Sequence, residues 1–205
     1  MGRNVGGVRV TMVTTDGGVV VRKGATEEDY TKEMLKNIVG IEQRYRNNTD
    51  ETLHIFSQDG AYVKSVGGKG AKVRFNKYDA PQDAILTHNH PLSIGRKGIS
   101  SIGNSFSTAD IMTAVDMNVK EIRAVTPRYT FSMKRPKEGW NIGSTASFKR
   151  QYKKIVNSVK AEMTDYLNKA GWSKEARERA AVTINHKVNT ALAKKYGWDY
   201  TKKRG

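Results

Sequence analysis

The sequence predicts a mixed α/β fold of the α+β kind, a sheet flanked by helices. Three observations predict it. Short β-branched runs bounded by Asp-Gly and Gly-Gly turn signals recur through residues 1–140. Between them stand segments whose apolar residues return every three or four positions, the spacing of an amphipathic helix. After Trp140 that helical spacing takes over.

The elements follow in order. "GVRVTMVT" and "GVVVRK" predict a hairpin across Thr15-Asp16-Gly17-Gly18. Thr26, ahead of Glu27, Glu28 and Asp29, reads as a helix cap with an acidic first turn. Tyr30, Met34, Ile38, Ile41 and Tyr45 then mark one face of a helix that "NNTDE" ends. "TLHIF" and "AYVKSV" predict a second hairpin turning at Asp59-Gly60, and "AKVRF" a further short strand. "DAILTHNH" is apolar up to its first histidine and stops at Pro91, the pattern of a buried strand. Residues 107–117 read as a helix, and "EIRAVTP" and "YTFSM" as two strands.

Two helices close the pattern. Phe148, Tyr152, Ile155, Val156, Val159, Met163, Tyr166 and Leu167 form one apolar stripe, which Gly171 breaks. Ser173 caps the next, along Ala176, Ala180, Ile184, Val188, Leu192 and Tyr196. The expected organisation is an α/β body over 1–140 and a basic two-helix appendage over 141–205, with "TKKRG" as a frayed tail. The pair Gly-Trp recurs at 139–140, 171–172 and 197–198 in unlike contexts, without a true repeat.

Composition narrows the chemistry. With no cysteine, disulfides and thiolate metal sites are excluded, and any metal must be held by nitrogen and oxygen. No apolar run approaches membrane-spanning length and the N-terminus has no signal-peptide core, so a cytoplasmic location is expected, without a membrane partner. The net charge of +16 is unevenly spread. Residues 1–140 hold 21 basic and 15 acidic side chains, residues 141–205 hold 15 and 5. Such an excess suits a polyanion partner, nucleic acid first, and equally a solvated helix face that keeps the protein soluble.

The stretch "THNHP", followed after a glycine-rich interval by "STAD", concentrates the site candidates. Residues i and i+2 of a strand share a face, so His88 and His90 present both imidazoles to one side, at the strand's mouth before Pro91. Asp110, opening the next helix, is placed to join them. Two histidines and a carboxylate with an open position are a catalytic zinc arrangement. Ser107 stands three residues before Asp110, and Ser-x-x-Asp ahead of an apolar run is also close to a capping box. The letters His-Asn-His name a nuclease motif too, although its residues are widely separated in sequence.

Taken together, "THNHP…SxxD" resembles the JAMM motif of the JAB/MPN metalloprotease family, in its RadC-like form, over about residues 50–133. The resemblance implies a JAB/MPN-like sheet flanked by helices, with zinc on His88, His90 and Asp110. It implies that Ser107 helps hold an oxyanion, and that Glu51, just ahead of a strand–turn–strand, is the general base. Asp50 and Glu42 compete for that last role. The activity implied is hydrolysis of an amide or isopeptide bond in a protein or peptide substrate. One departure is "PLSIGRKGISSIGNSF", longer than the usual interval, whose Gly95, Gly98 and Gly103 with Arg96 and Lys97 suggest a flexible basic loop over the site.

A second resemblance, to the C-terminal region of phage minor head (head-morphogenesis) proteins, runs from "HNHP" through "INHKV…AKKYGWDYT". It implies an alternative: an inactive, head-associated structural protein whose basic helices bind nucleic acid without sequence preference, in host cytoplasm or virion. A metal-dependent nuclease or toxin domain is the third reading. His186 reads as a partly buried helix residue outside the site.

Overall fold

The computed structural model describes residues 3–5, 8–10, 27–70, 72–91 and 104–205. Their class is α+β, as expected: a mixed six-stranded sheet and four helices. In chain order the elements are β1 (Arg3–Val5), β2 (Val8–Val10), α1 (Glu27–Tyr45), β3 (Thr52–Phe56), β4 (Tyr62–Gly67), β5 (Ile85–Asn89), α2 (Thr108–Asp116), β6 (Glu121–Val125), β7 (Tyr129–Lys134), α3 (Thr145–Lys169), α4 (Lys174–Tyr196) and β8 (Asp199–Arg204). Among the described residues β1 and β2 pair only with each other. The rest of the predicted first hairpin, from Thr11 through Lys23, lies outside the described residues, as does most of the glycine-rich interval after Pro91.

The large sheet runs β4-β3-β5-β6-β7-β8. All its pairs are antiparallel except β5 with β6, joined through α2 as a parallel crossover requires. β5 and β6 lie at the centre and are buried at every position, so Thr87, His88, Asn89, Glu121 and Arg123 are polar side chains that must find their partners inside the chain. α1 covers one face, where Met34 and Ile38 meet Phe56 and Ile85. The other face carries the main core: Leu53, Leu86, Ile122, Ala124 and Phe131 of the strands, with Ile111 of α2, Phe148 and Val159 of α3, and Val188 and Leu192 of α4.

Two sequence expectations are corrected. "TKKRG" is no frayed tail: Thr201–Arg204 belong to β8, which pairs with β7 from Asp199↔Lys134 to Arg204↔Tyr129. The polar composition suits an edge strand, where lysines deter further pairing. Lys202 accordingly lies half-buried, its Nζ 4.1 Å from the centre of the Tyr129 ring, while Lys153, Lys154, Lys194, Lys195 and Lys203 are exposed. "AKVRF" forms no strand over its described residues, 72–75. Val73 and Phe75 pack against the core without a ladder partner, so apolar alternation is satisfied by side chains alone.

Residues on both sides of 140 share one core. Trp140 and Trp198 meet edge to face with centroids 5.1 Å apart. The Trp198 indole N–H donates to the Trp140 carbonyl, and the Trp140 indole to Val119. Two of the three Gly-Trp pairs are thus one contact, while Trp172 is exposed. Gly197 ends α4 in the left-handed region (φ 71°), which turns the chain directly into Trp198 and β8.

Candidate metal centre

The site begins with the parity of β5. His88 pairs with Leu53 on one side and Ala124 on the other, so its ring points to the α2 face, while Thr87 and Asn89 point to the α1 face. His90 follows the strand's last residue, but its N–H still donates to the Val125 carbonyl (2.9 Å). That bond extends the register and keeps His90 on the His88 side. The two Nε2 atoms lie 2.9 Å apart.

Asp110 arrives from α2 through its cap. Ser107 is the N-cap residue: its hydroxyl accepts from the Asp110 N–H (3.3 Å), and the Asp110 carboxylate accepts from the Ser107 N–H (2.7 Å). The capping box therefore holds the carboxylate in place. Its Oδ1 lies 3.5 Å from His88 Nε2 and its Oδ2 3.7 Å from His90 Nε2. Capping and site placement are one arrangement here.

Charge ties the three together. Burial opposes ionisation of Asp110, yet the two imidazoles hold its carboxyl well below the usual range. Burial likewise opposes protonation of His90, but the bond and charge of Asp110 and the Asn104 carbonyl raise it above its ordinary value. His90 Nδ1–H donates to that carbonyl (2.8 Å), which leaves the Nε2 lone pair facing the site.

His88, His90 and Asp110 form a group that could hold a metal ion: one ligand atom from each lies within 4.8 Å of the others. The donor set fits a divalent cation that accepts nitrogen and oxygen. Convergent lone pairs repel unless a proton or a cation sits among them, and the Asn104 carbonyl already orients the His90 imidazole. A tetrahedral ion held by these three ligands would have a fourth position for exogenous oxygen.

The group lies in a cavity of about 550 Å³ that Glu51 also lines. Glu51 precedes Leu53, the partner of His88, by two residues, and so falls on the same face. Burial raises its carboxyl above the ordinary value; His88 and His90 pull it back, while Asp110 adds to the rise. The competitors are elsewhere. Asp50 accepts from the Gly70 N–H (2.8 Å), and Glu42 lies on the opposite face of the sheet, bonded to Arg123.

Asn89, the residue between the histidines, anchors the turn that carries Glu51. Facing away from them, it accepts from the Thr52 N–H (2.7 Å) and donates to the carbonyls of Asp50 (3.0 Å) and Asn48 (3.3 Å). Asn89 thus ties down the turn that carries Glu51, while its two neighbours turn their imidazoles to the cavity that Glu51 lines. On its far side the same turn is tied to 68–70, by Glu51 N–H to Gly70 O (2.7 Å) and Gly68 N–H to Glu51 O (2.8 Å). Gly68 is required there, since a Cβ would meet the Lys72 oxygen at 2.3 Å.

The C-terminal elements hold Ser105 and Phe106, just ahead of α2. Asn189 of α4, fully buried, donates to Ser105 Oγ (3.1 Å) and the Phe106 carbonyl (2.9 Å). Ser105 Oγ also bonds the Tyr200 hydroxyl of β8 (2.7 Å), which lies 2.9 Å from His186 Nδ1. His186 is thus engaged outside the metal group. Asn104, Asn189 and Tyr200 lie outside the sequence motif, and Asn89 stands within it with no role assigned from sequence. Strand parity could have assigned Asn89 to the opposite face, and Asn189 sits three residues before Leu192 on the buried face of α4.

Comparison with protein-family models finds no match, and searches of curated proteins and of solved structures find none. Among the described residues no helix is long and apolar enough to cross a membrane.

Proposed function

We propose that the protein is a zinc-dependent hydrolase of the JAMM type, cleaving an amide or isopeptide bond in a protein or peptide. The observation that carries this reading is the convergence of His88, His90 and Asp110 in the cavity that Glu51 and Ser107 line. When bound, zinc supplies a Lewis acid that makes water nucleophilic near neutral pH and polarises a carbonyl.

The chain's own residues do the rest. Glu51 takes a proton from the attacking water as its oxygen bonds to the carbonyl carbon. It returns that proton to the leaving nitrogen as the C–N bond breaks. Burial suits it to this, because a carboxyl raised towards neutrality both accepts and donates readily. Ser107 already accepts the Asp110 N–H, so its own hydroxyl proton is available to the developing oxyanion. Asn89 and Asp110 keep base and hydroxyl at fixed places relative to the ligands.

The test is Glu51→Gln in the full chain. It should retain about one zinc per chain and lose peptide hydrolysis by roughly 10²–10⁴-fold, the usual weight of a general base. A Glu51→Gln protein as active as its parent would remove Glu51 from the mechanism. A parent that carries no zinc, with no change on His88→Ala plus His90→Ala, would end the reading altogether.

A further inference from the structure

The cavity has a wall that the hydrolytic residues do not use. Residues 72–75 run past the metal group, and all four line the cavity. Val73 and Phe75 are half-buried and pack against the core; Lys72 and Arg74 are exposed. The alternation anchors the segment by its apolar side chains and presents its two cations at the cavity rim. From Gly68 to Asn76 the chain holds three basic residues and no acidic one. Among the described residues neither Lys72 nor Arg74 has an ion-pair partner, whereas Lys64, Lys187 and Arg135 are all paired with carboxylates. The wall is also held in place. The bonds between Glu51 and residues 68–70, with Lys69 N–H donating to the Lys72 carbonyl (3.1 Å), tie it to the segment that carries the proposed base.

We infer that Lys72 and Arg74 form a subsite for a carboxylate of the substrate, next to the bond to be cleaved. This rests on the proposed hydrolase and specifies its substrate class: a peptide with a carboxylate beside the scissile amide. Two cations on a segment whose backbone is tied to that of Glu51 give orientation as well as affinity. The neighbouring walls, Leu53, Leu86 and Ile122, are apolar, which fits a peptide side chain better than successive phosphates.

The experiment compares peptides identical except for Glu, Gln or Lys beside the scissile amide, all C-terminally amidated. A second set moves the carboxylate to a free C-terminus, which separates side-chain from terminal recognition. kcat/KM is measured for the zinc-loaded parent and for Lys72→Glu plus Arg74→Glu, with zinc content as the check on folding. Binding of the same labelled peptides to Glu51→Gln is followed by anisotropy. The carboxylate peptides of one set should exceed the Lys peptide about tenfold, as two partly exposed charge contacts allow, and the double variant should reverse the order. Equal rates for Glu and Lys peptides, or a preference the double variant leaves intact, overturns the inference. Charge-dependent binding of a short oligonucleotide with none of the acidic peptides also overturns it. Absence of hydrolysis in every peptide, with charge-reversible binding of the acidic ones, sinks the hydrolase and leaves the subsite standing.

Discussion

Two clusters of buried titratable groups lie back to back on β5 and β6, and only one of them is a candidate for chemistry. On the α1 face, Arg123 bonds both oxygens of Glu42 (2.6 and 2.9 Å) and Glu121 (2.7 Å). Thr87 donates to Glu42, Tyr45 to Thr87, and Ser132 to Glu121. The three charged residues are 1–7% exposed, and none of them lines the cavity. On the α2 face, His88, His90 and Asp110 turn acceptor atoms towards one another beside open space. Burial and charge are common to both faces. What separates them is setting: one cluster closes its charges on donors inside the chain, while the other brings three ligand atoms within 4.8 Å of one another and could hold a cation.

Breaking the satisfied cluster should have the largest effect. Arg123→Met strands Glu42 and Glu121 without their cation and should cost about 3–5 kcal/mol in denaturant unfolding. A loss below about 1 kcal/mol would mean that the network is not buried in solution. The metal cluster should behave in the opposite way, gaining stability from outside. Zinc at a hundred times its Kd should stabilise the parent by about 2.7 kcal/mol, and His88→Ala plus His90→Ala should remove that gain. An equal zinc response in the double variant would place the ion elsewhere.

Asn89 joins the two faces, so its removal sharpens the contrast. Asn89→Ala should cost about 2 kcal/mol, the range for buried backbone groups left without partners. It should keep zinc and lose hydrolysis, because it frees the Glu51 turn and leaves the ligands alone. Loss of zinc in parallel with activity would assign Asn89 to the ligands instead.

The smallest expected effect concerns His54, the α1-face histidine between the rings of Tyr45 and Tyr62, 4.2 and 6.0 Å away between centroids. Among the described residues neither of its ring nitrogens has a hydrogen-bond partner, and burial pushes the imidazole down to about 4. The unfolded chain takes up this proton near pH 6.5, which the folded chain refuses. Stability should therefore fall as pH drops from about 6.5 towards 4, by about 1 kcal/mol once screening is allowed for. His54→Leu should flatten that part of the pH–stability curve; an unchanged slope would assign it to other groups.

The sequence by itself determined what depends on near neighbours. The helix stripes, the caps at Ser107 and Ser173, the shared face of His88 and His90, and the position of Asp110 all follow from spacing within a few residues. Tertiary structure decided the rest. Local pattern sets Glu51 ahead of a strand and Glu42 on a helix, but not which of them meets the histidines; Asn89, 37 residues from Thr52, ties down the turn of Glu51, which lines the cavity, while Glu42 is taken by Arg123. Nothing local makes "TKKRG" a strand; it pairs because β7 has a free edge and Gly197 turns the chain onto it. The Ser105–Tyr200 bond spans 95 positions, a distance over which periodicity carries no information. Local geometry follows from the backbone and its adjacent side chains, whereas a partner from a remote strand or helix exists only once the core has closed.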